Sequence, residues 1–175
     1  MGIPREPLNK NEGLRRDYTR APHITKSYLL GMLHDGTKHK TTYRIAQKGP
    51  AFAKMLVEGI KRLGGRAWIY QEGKQRDVYI TEFSQSLLRG ITIKTSQDKL
   101  EYVRGYFDAE GGIAKSPKVR FYIYFAQKNF SDLNQIKAIL QEFGIKLELF
   151  IILVRKLILN IGDFLLKPIA IKVLL

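Results

Sequence analysis

The sequence repeats itself at a fixed spacing, and this constrains the fold more than any other feature. The segment TYRIAQK, residues 42–48, has an echo in YIYFAQK, residues 122–128, at an offset of 80 (128 − 48). Each segment is followed by a helical pattern, and Leu63 and Phe143 at the ends of those patterns keep the same offset. Similar elements in the same order predict two structural repeats within one chain.

A second pair of similar segments lies upstream of the first. SYLLGMLHDG, residues 27–36, aligns with EYVRGYFDAEG, residues 101–111. Gly31 then stands opposite Gly105 at an offset of 74 (105 − 31), so the second half has six extra residues between its first helix and its AQK strand.

Hydrophobic periodicity and turn residues predict the elements of the first repeat. We expect a helix over about 25–34, a strand over 41–48, an amphipathic helix that begins near Pro50, a hairpin that turns near 72–74, and a short helix near 84–88. In the second repeat, Ser96 is the predicted N-cap of a helix that ends at Ala109. Each unit therefore reads as αββαββα, with one early strand weakly signalled, and the fold class is α+β with antiparallel sheets.

Alternation along the AQK strands predicts one solvent-exposed sheet face with cationic or aromatic residues. The chain contains 30 Lys and Arg against 16 Asp and Glu, a formal net charge of +14, and this balance favours an anionic partner such as a nucleic acid. A half-exposed sheet with ordinary surface residues is the alternative interpretation. The residues predicted to contact double-stranded DNA from this face are Thr42, Arg44, Arg120, Tyr122 and Tyr124.

The chain contains no cysteine, which excludes disulfides, thiolate zinc sites and a cysteine nucleophile. This composition is typical of a reducing compartment, and we expect a cytoplasmic protein. Residues 1–22 are polar and basic without the apolar stretch of a secretory signal, and they are predicted to form a basic arm.

Two acidic residues near the end of the helix that precedes 111 lead to a family resemblance. VRGYFDAEGG, residues 103–112, resembles the LAGLIDADG motif of homing endonucleases, and LLGMLHDGT, residues 29–37, resembles a degenerate first copy. The resemblance covers about 24–146 and is to the single-chain members with two motifs. The positions that match the motif are Val103, Gly105, Phe107, Asp108, Ala109, Glu110 and Gly111.

The resemblance implies a fold and a function. Two motif helices would pack side by side at their glycines, and the two sheets would form a DNA-binding saddle with internal pseudo-twofold symmetry in a monomer. The implied activity is site-specific cleavage of double-stranded DNA, linked to intron or intein mobility, with Mg²⁺ or another divalent cation. Glu110 and Asp35 are the expected metal ligands, while Asp108 would cap its helix or face the partner helix. The residues expected in the catalytic centre are Glu110, Asp35, Lys48, Lys128, Gln47 and Gln127.

One departure from the motif opens an alternative. Alignment of the two glycines puts Gly36, not Asp35, opposite Glu110. Either Asp35 reaches the metal through a different helix end, or the first acid is missing. A missing acid would favour a protein that binds DNA or intron RNA without cleaving it, such as a transcription regulator or an intron maturase. A structural ribosome-associated protein would explain the charge but neither the repeat nor the acids.

The tail from about residue 145 does not continue the repeat. It lacks the aromatic alternation and turn of the first hairpin and is rich in Leu and Ile, yet charged residues interrupt it too often for a membrane span. Reading the tail in another frame restores a turn and an aromatic strand, so we hypothesise a frameshift between 144 and 149 and expect the last hairpin to be lost. The predicted organisation is an arm at 1–22, a first repeat at 23–95 and a second repeat at 96–175.

Overall fold

The computed structural model describes residues 23–73, 75–113, 122–151 and 169–173. The predicted basic arm, Arg120 and residues 152–168 of the tail lie outside these ranges. Within them, the fold is α+β with two antiparallel sheets, as the sequence predicts.

The first unit follows the predicted order, and its early strand is a short segment beside the AQK strand. A 3₁₀ turn, Leu33–Asp35, joins α1 to β1, and a second, Gln85–Leu88, follows β4. Sheet A has the strand order β1-β2-β4-β3. Its elements are α1 (Lys26–Met32), β1 (Gly36–Lys38), β2 (Thr42–Lys48), α2 (Pro50–Arg62), β3 (Ala67–Gln71) and β4 (Val78–Ser84).

The second unit repeats this arrangement, and sheet B has the equivalent order β5-β6-β8-β7. The same connectivity in both halves confirms the internal repeat. Its elements are α3 (Ser96–Glu110), β5 (Gly111–Ile113), β6 (Ile123–Gln127), α4 (Phe130–Glu142), β7 (Leu147–Ile151) and β8 (Ile169–Val173).

The expectation that the last hairpin is lost is wrong. Leu147–Ile151 and Ile169–Val173 pair antiparallel, and the second of these strands also pairs with β6, as β4 pairs with β2. The physical reason is that both segments are rich in Ile, Val and Phe, which favour strands without the aromatic alternation of the first hairpin. Whether the gene carries a frameshift stays a hypothesis.

Local capping interactions set the helix boundaries. Thr25 caps α1 by accepting the backbone N–H of Tyr28 at 3.0 Å. The N-cap of α3 is Thr95 rather than Ser96, because its hydroxyl accepts the Asp98 N–H at 3.0 Å while the Asp98 carboxylate accepts the Thr95 N–H at 3.1 Å. This capping box binds two N–H groups that the helix leaves without partners. The prediction that α3 ends at Ala109 is one residue short.

Each sheet packs one face against helices, and sheet A leaves its other face open. Beneath sheet A, Ile45 and Phe83 pack with Leu56 and Ile60 of α2. Beneath sheet B, Phe125 packs with Leu133 of α4. Among the described residues, no helix has both the length and the apolar character needed to cross a membrane.

Candidate functional site

The first helix of each unit packs against its counterpart through glycine. A Cβ atom placed on Gly31 would lie 2.1 Å from the carbonyl oxygen of Tyr102, and one on Gly105 would lie 2.0 Å from that of Tyr28. Neither position has room for a side chain, so α1 and α3 approach at backbone distance. The close approach expected at these two glycines is confirmed.

The ends of these two helices lead directly into equivalent strands. Gly36 begins β1 and pairs with Ile45, while Gly111 begins β5 and pairs with Phe125. Ile45 and Phe125 are equivalent in the repeat, at the offset of 80 (125 − 45). Gly36 is therefore the counterpart of Gly111.

Asp35, rather than Gly36, is consequently the structural counterpart of Glu110. The alignment from the glycines misplaces it because α1 ends in a 3₁₀ turn, whereas α3 stays α-helical to Glu110. A 3₁₀ helix rises about 2.0 Å per residue against 1.5 Å in an α-helix. Four steps from Gly31 to Asp35 thus advance about 7.5 Å, and five α-helical steps from Gly105 to Glu110 advance the same distance. An acidic residue therefore stands opposite Glu110, at a helix end of a different form.

The two carboxyl groups influence each other electrostatically. Burial raises the pKa of Glu110, and the nearby charge of Asp35 raises it further, against a hydrogen bond from Gln127 that lowers it. That bond joins Gln127 Nε2 to Glu110 Oε1 at 2.7 Å. Partial burial of Asp35 raises the pKa of this carboxyl group as well. Two acids held together in this way repel each other when both are ionised.

An open cleft of about 390 Å³ lies beside Asp35. Gln47 and Lys48 of β2 line it together with Asp108 and Ala109 from the end of α3, so the cleft combines groups from both units. The structure therefore brings five of the six predicted catalytic residues into two neighbouring groups: Asp35 with Gln47 and Lys48, and Glu110 with Gln127. Lys128 is exposed at the end of β6, where its backbone N–H donates to Gln127 Oε1 at 2.7 Å.

Asp108 faces the partner helix, as the sequence interpretation proposed. The hydroxyl group of Tyr28 on α1 donates to Asp108 Oδ2 at 2.8 Å. This bond crosses the interface between the two units and gives Asp108 a structural contact that Glu110 does not share.

His34 also joins the two units. Its Nδ1 lies 3.1 Å from Asp132 Oδ2 on α4, and its Nε2 lies 2.6 Å from the hydroxyl oxygen of Tyr102 on α3. Both ring nitrogens have protein partners, which fits a structural role for this histidine.

The donor set at the helix ends suits a hard divalent cation. Among residues 23–73, 75–113, 122–151 and 169–173, no group of three or more His, Cys, Asp or Glu side chains could enclose a metal. Mg²⁺, however, is commonly held by one or two carboxylates while water and substrate phosphates complete its coordination. Asp35 and Glu110 could supply two such carboxylates, and a bound cation would relieve the repulsion between them when both are ionised.

The open face of sheet A carries the predicted contact residues, but they have a partner that sequence reasoning missed. Thr42 Oγ1 donates to Glu82 Oε1 at 2.6 Å, and Arg44 Nε donates to Glu82 Oε2 at 2.8 Å. On sheet B, the Tyr122 and Tyr124 rings lie side by side with centroids 6.2 Å apart.

Three residues on the open face of sheet A were not predicted from the sequence: Glu82, Trp68 and Tyr70. Trp68 is 44% exposed and Tyr70 37% exposed, although both are large aromatic side chains. The alternation of Trp68 and Tyr70 with Ala67 and Ile69 contains the signal that could have found them, since the small or aliphatic residues face the core.

Comparisons with known proteins agree on the fold. The sequence profile of a LAGLIDADG-like domain matches residues 97–156. The structure of the homing endonuclease I-DmoI in complex with DNA and Ca is similar with a TM-score of 0.59 and 19% identity, covering 86% of this chain and 82% of that one. Another complex of I-DmoI contains DNA and Mn.

A second type of protein has the same fold. Full-length DUF199/WhiA from Thermatoga maritima is similar with a TM-score of 0.63 and 18% identity, covering 88% of this chain but 53% of that one. The N-terminal LAGLIDADG domain of DUF199/WhiA is similar with a TM-score of 0.61 and 17% identity, over 90% of this chain and 86% of that one. A search of curated protein sequences found no match. The second half of this chain therefore matches the profile of a LAGLIDADG-like domain, and the chain as a whole is similar in fold to LAGLIDADG proteins.

Proposed function

We propose that this protein is a site-specific endonuclease that cleaves double-stranded DNA with a divalent cation, preferably Mg²⁺. The observation that carries the proposal is the placement of Asp35 and Glu110 as counterparts at two adjacent helix ends, close enough for the charge of one to raise the pKa of the other. A purely structural pair would gain nothing from this repulsion, whereas a metal centre uses it.

The residues around the helix ends suit phosphodiester hydrolysis. In that reaction the oxygen of water bonds to phosphorus, one ester oxygen leaves, and the leaving oxygen takes up a proton. A bound divalent cation would supply Lewis-acid stabilisation of the phosphate and orientation of water. Asp35 and Glu110 would hold it, and Gln127 fixes the Glu110 carboxylate by donating to Oε1.

Lys48 has a separate role in this proposal. It lines the cleft beside Asp35 and is exposed, so its ammonium group can meet a phosphate entering from the open side. A cation there stabilises the negative charge that develops on the phosphate oxygens. Lys128, exposed at the equivalent strand end, is proposed to do the same for the other DNA strand.

The open faces of the two sheets are the proposed DNA-binding surface. The chain has a net charge of +14, which favours association with a polyanion. Antiparallel strands with exposed polar and aromatic side chains can enter a major groove about 12 Å wide. The similar fold of I-DmoI, whose structures include complexes with DNA, supports DNA as the partner of this protein.

The alternative is a protein of the same fold that binds DNA or intron RNA without cleaving it. The fold does not discriminate between the two functions, because it is shared with I-DmoI and with the LAGLIDADG domain of DUF199/WhiA at similar TM-scores. The carboxylate pair is the feature that favours the endonuclease.

The test begins with selection of bound sites from randomised duplexes, followed by cleavage of the selected site in Mg²⁺. Glu110→Gln and Asp35→Asn are expected to bind the site normally but to cleave it at least about 100-fold more slowly, the usual scale for loss of one electrostatic group from a preorganised site. Glu58→Gln is the matched control, since it removes an exposed carboxylate on α2 and should cleave normally. Tight binding without cleavage by the unmodified chain would refute the endonuclease and support the binding protein.

A further inference from the structure

A carboxylate lies at the centre of the open face of sheet A, where the proposed function expects DNA. The register places Arg44 of β2, Glu82 of β4 and Trp68 of β3 side by side in one row across the sheet. Glu82 is only 7% exposed even though it lies on the open face, because its neighbours cover it. A negative charge here repels phosphates, so its presence needs an explanation if this face binds DNA.

Glu82 accepts three hydrogen bonds from that same face. Its Oε1 accepts from the Thr42 hydroxyl at 2.6 Å, and its Oε2 accepts from Arg44 Nε at 2.8 Å and from the Tyr70 hydroxyl at 2.9 Å. Burial raises the pKa of Glu82, but the three hydrogen bonds and the Arg44 charge outweigh burial and leave the pKa below its ordinary value. The group is therefore ionised at neutral pH and binds all three neighbours at once.

The contact changes what Arg44 can offer to DNA. The carboxylate neutralises its charge, which weakens a contact that depends on charge alone, such as one with a phosphate. The Nε–H is used by Glu82, but the side chain is still 38% exposed and its terminal nitrogens carry further donors. A guanidinium group fixed in direction with free terminal donors suits the O6 and N7 acceptors of guanine, which require a bidentate fork.

Whereas Arg44 keeps donors for DNA, the hydroxyl groups of Thr42 and Tyr70 are left as acceptors. Each donates its only hydrogen to Glu82, so what remains on each oxygen is the capacity to accept. Phosphate oxygens also only accept, and they cannot bond to a hydroxyl in this state. The exocyclic amino groups of adenine and cytosine donate in the major groove and match these oxygens.

From these contacts we propose that Glu82 is a positioning residue that makes this patch read bases rather than bind phosphates. Arg44 would contact a guanine, and the Thr42 and Tyr70 oxygens would contact the amino group of an adjacent adenine or cytosine. The inference rests on the proposed binding of DNA by the open face of sheet A, and it adds the base class that the face selects.

The experiment selects bound sequences from randomised duplexes with the full chain and with Glu82→Gln, in Ca²⁺. The unmodified chain should enrich one guanine with an adenine or cytosine beside it. Glu82→Gln should lose about tenfold or more of the discrimination for that guanine, within the range that a bidentate contact provides. It should also bind non-specific duplex more tightly at low salt, and the dependence of log K on log[salt] should steepen by about one unit, because Arg44 is freed to contact a phosphate.

A merely structural role for Glu82 predicts a different result. Loss of fold would weaken binding to all sequences in the same proportion and leave the ratio between sequences unchanged. Glu58→Gln is the matched control, because it removes an exposed carboxylate from α2 in the same unit and should keep the guanine preference. Guanine discrimination that survives in folded Glu82→Gln would overturn the inference.

Further variants keep the test decisive if Glu82→Gln does not fold. Arg44→Lys retains the positive charge without the bidentate guanidinium group and should lose the preference for guanine. The combined Thr42→Val and Tyr70→Phe variant should keep the preference for guanine and lose the preference for adenine or cytosine at the adjacent position. Retention of both preferences in these variants would overturn the inference. If the unmodified chain selects no sequence at all, the proposed function fails with it, whereas selective binding with unaltered preferences in the variants refutes only the inference.

Discussion

Replacement of Gly105 by alanine tests the closest contact in the molecule. The added Cβ would lie 2.0 Å from the carbonyl oxygen of Tyr28 and 3.1 Å from the backbone nitrogen of Met32, both on the facing helix. Ordinary contacts between carbon and a carbonyl oxygen are about 3.3–3.6 Å, so α1 and α3 would have to separate by about 1.3 Å. The obstacle is backbone, and no rotation of a side chain can relieve it.

The expected change in the free energy of unfolding follows from two opposing effects. Overpacking of a close interface costs about 1–3 kcal/mol and sometimes more, and gaps of 0.5–1 Å forfeit about a quarter to a half of each lost contact. Alanine recovers about 1 kcal/mol because it favours a helix more than glycine does. Since the required movement is more than about 1 Å along the whole interface, we expect a net loss of about 2 kcal/mol or more in the free energy of unfolding.

The assay is urea unfolding followed by far-UV circular dichroism. Gly64→Ala is the control, because Gly64 has a φ of 80° and no atom near its added Cβ, so only backbone strain of about 1–2 kcal/mol is expected. Gly31→Ala combined with Gly105→Ala should cost less than the sum of the two, because one substitution already separates the helices. A Gly105→Ala protein as stable as the unmodified chain, or more stable, would refute the close approach.

Three further predictions concern the site. Because folding raises the pKa of Glu110, its ionised form opposes folding at neutral pH, and Glu110→Gln should raise the urea midpoint at pH 7.5. This gain should vanish near pH 4, about the ordinary pKa of glutamate. A midpoint lowered at pH 7.5 would contradict the repulsion from Asp35. Millimolar Mg²⁺ should raise the unfolding temperature of the unmodified chain bound to its duplex, and by less in Glu110→Gln, since a ligand of the folded state stabilises it; equal increases in differential scanning calorimetry would argue against a ligand role for Glu110. His34→Ala should cost about 1–3 kcal/mol in urea unfolding because Asp132 and Tyr102 lose their partner, and a change below about 0.5 kcal/mol would show that this bridge between the units contributes little.

The sequence limits what can be said about the helix ends for a physical reason. The alignment of Gly31 with Gly105 predicts the close helix contact correctly, because a residue without a side chain has the same consequence in any helix pair. The same alignment misplaces Asp35, because counting residues assumes a constant rise and α1 changes from an α-helix to a 3₁₀ turn. The choice between these two helical forms depends on packing beyond the helix.

The open face of sheet A likewise combines residues that the sequence predicts with a contact that it does not. Alternation along β2 places Thr42 and Arg44 on one face without knowledge of the fold. Their partner Glu82 comes from a strand 38 residues away from Arg44, and only the register of β2 against β4 brings the two together. A contact between distant residues depends on hairpin length and strand pairing, which are not local properties of the sequence.

The repeat, the class of the fold, most elements of the first unit, the glycine contact and the acidic residues at the helix ends could be predicted from the sequence. They follow from local preference, side-chain size and periodicity. Three features required the folded chain: Asp35 as the counterpart of Glu110, the strands 147–151 and 169–173 of the tail, and the binding of Glu82 to the open-face residues of sheet A. Each of these features depends on how distant segments pack against one another. That packing sets the helix geometry and the strand register, and neither is a local property of the sequence.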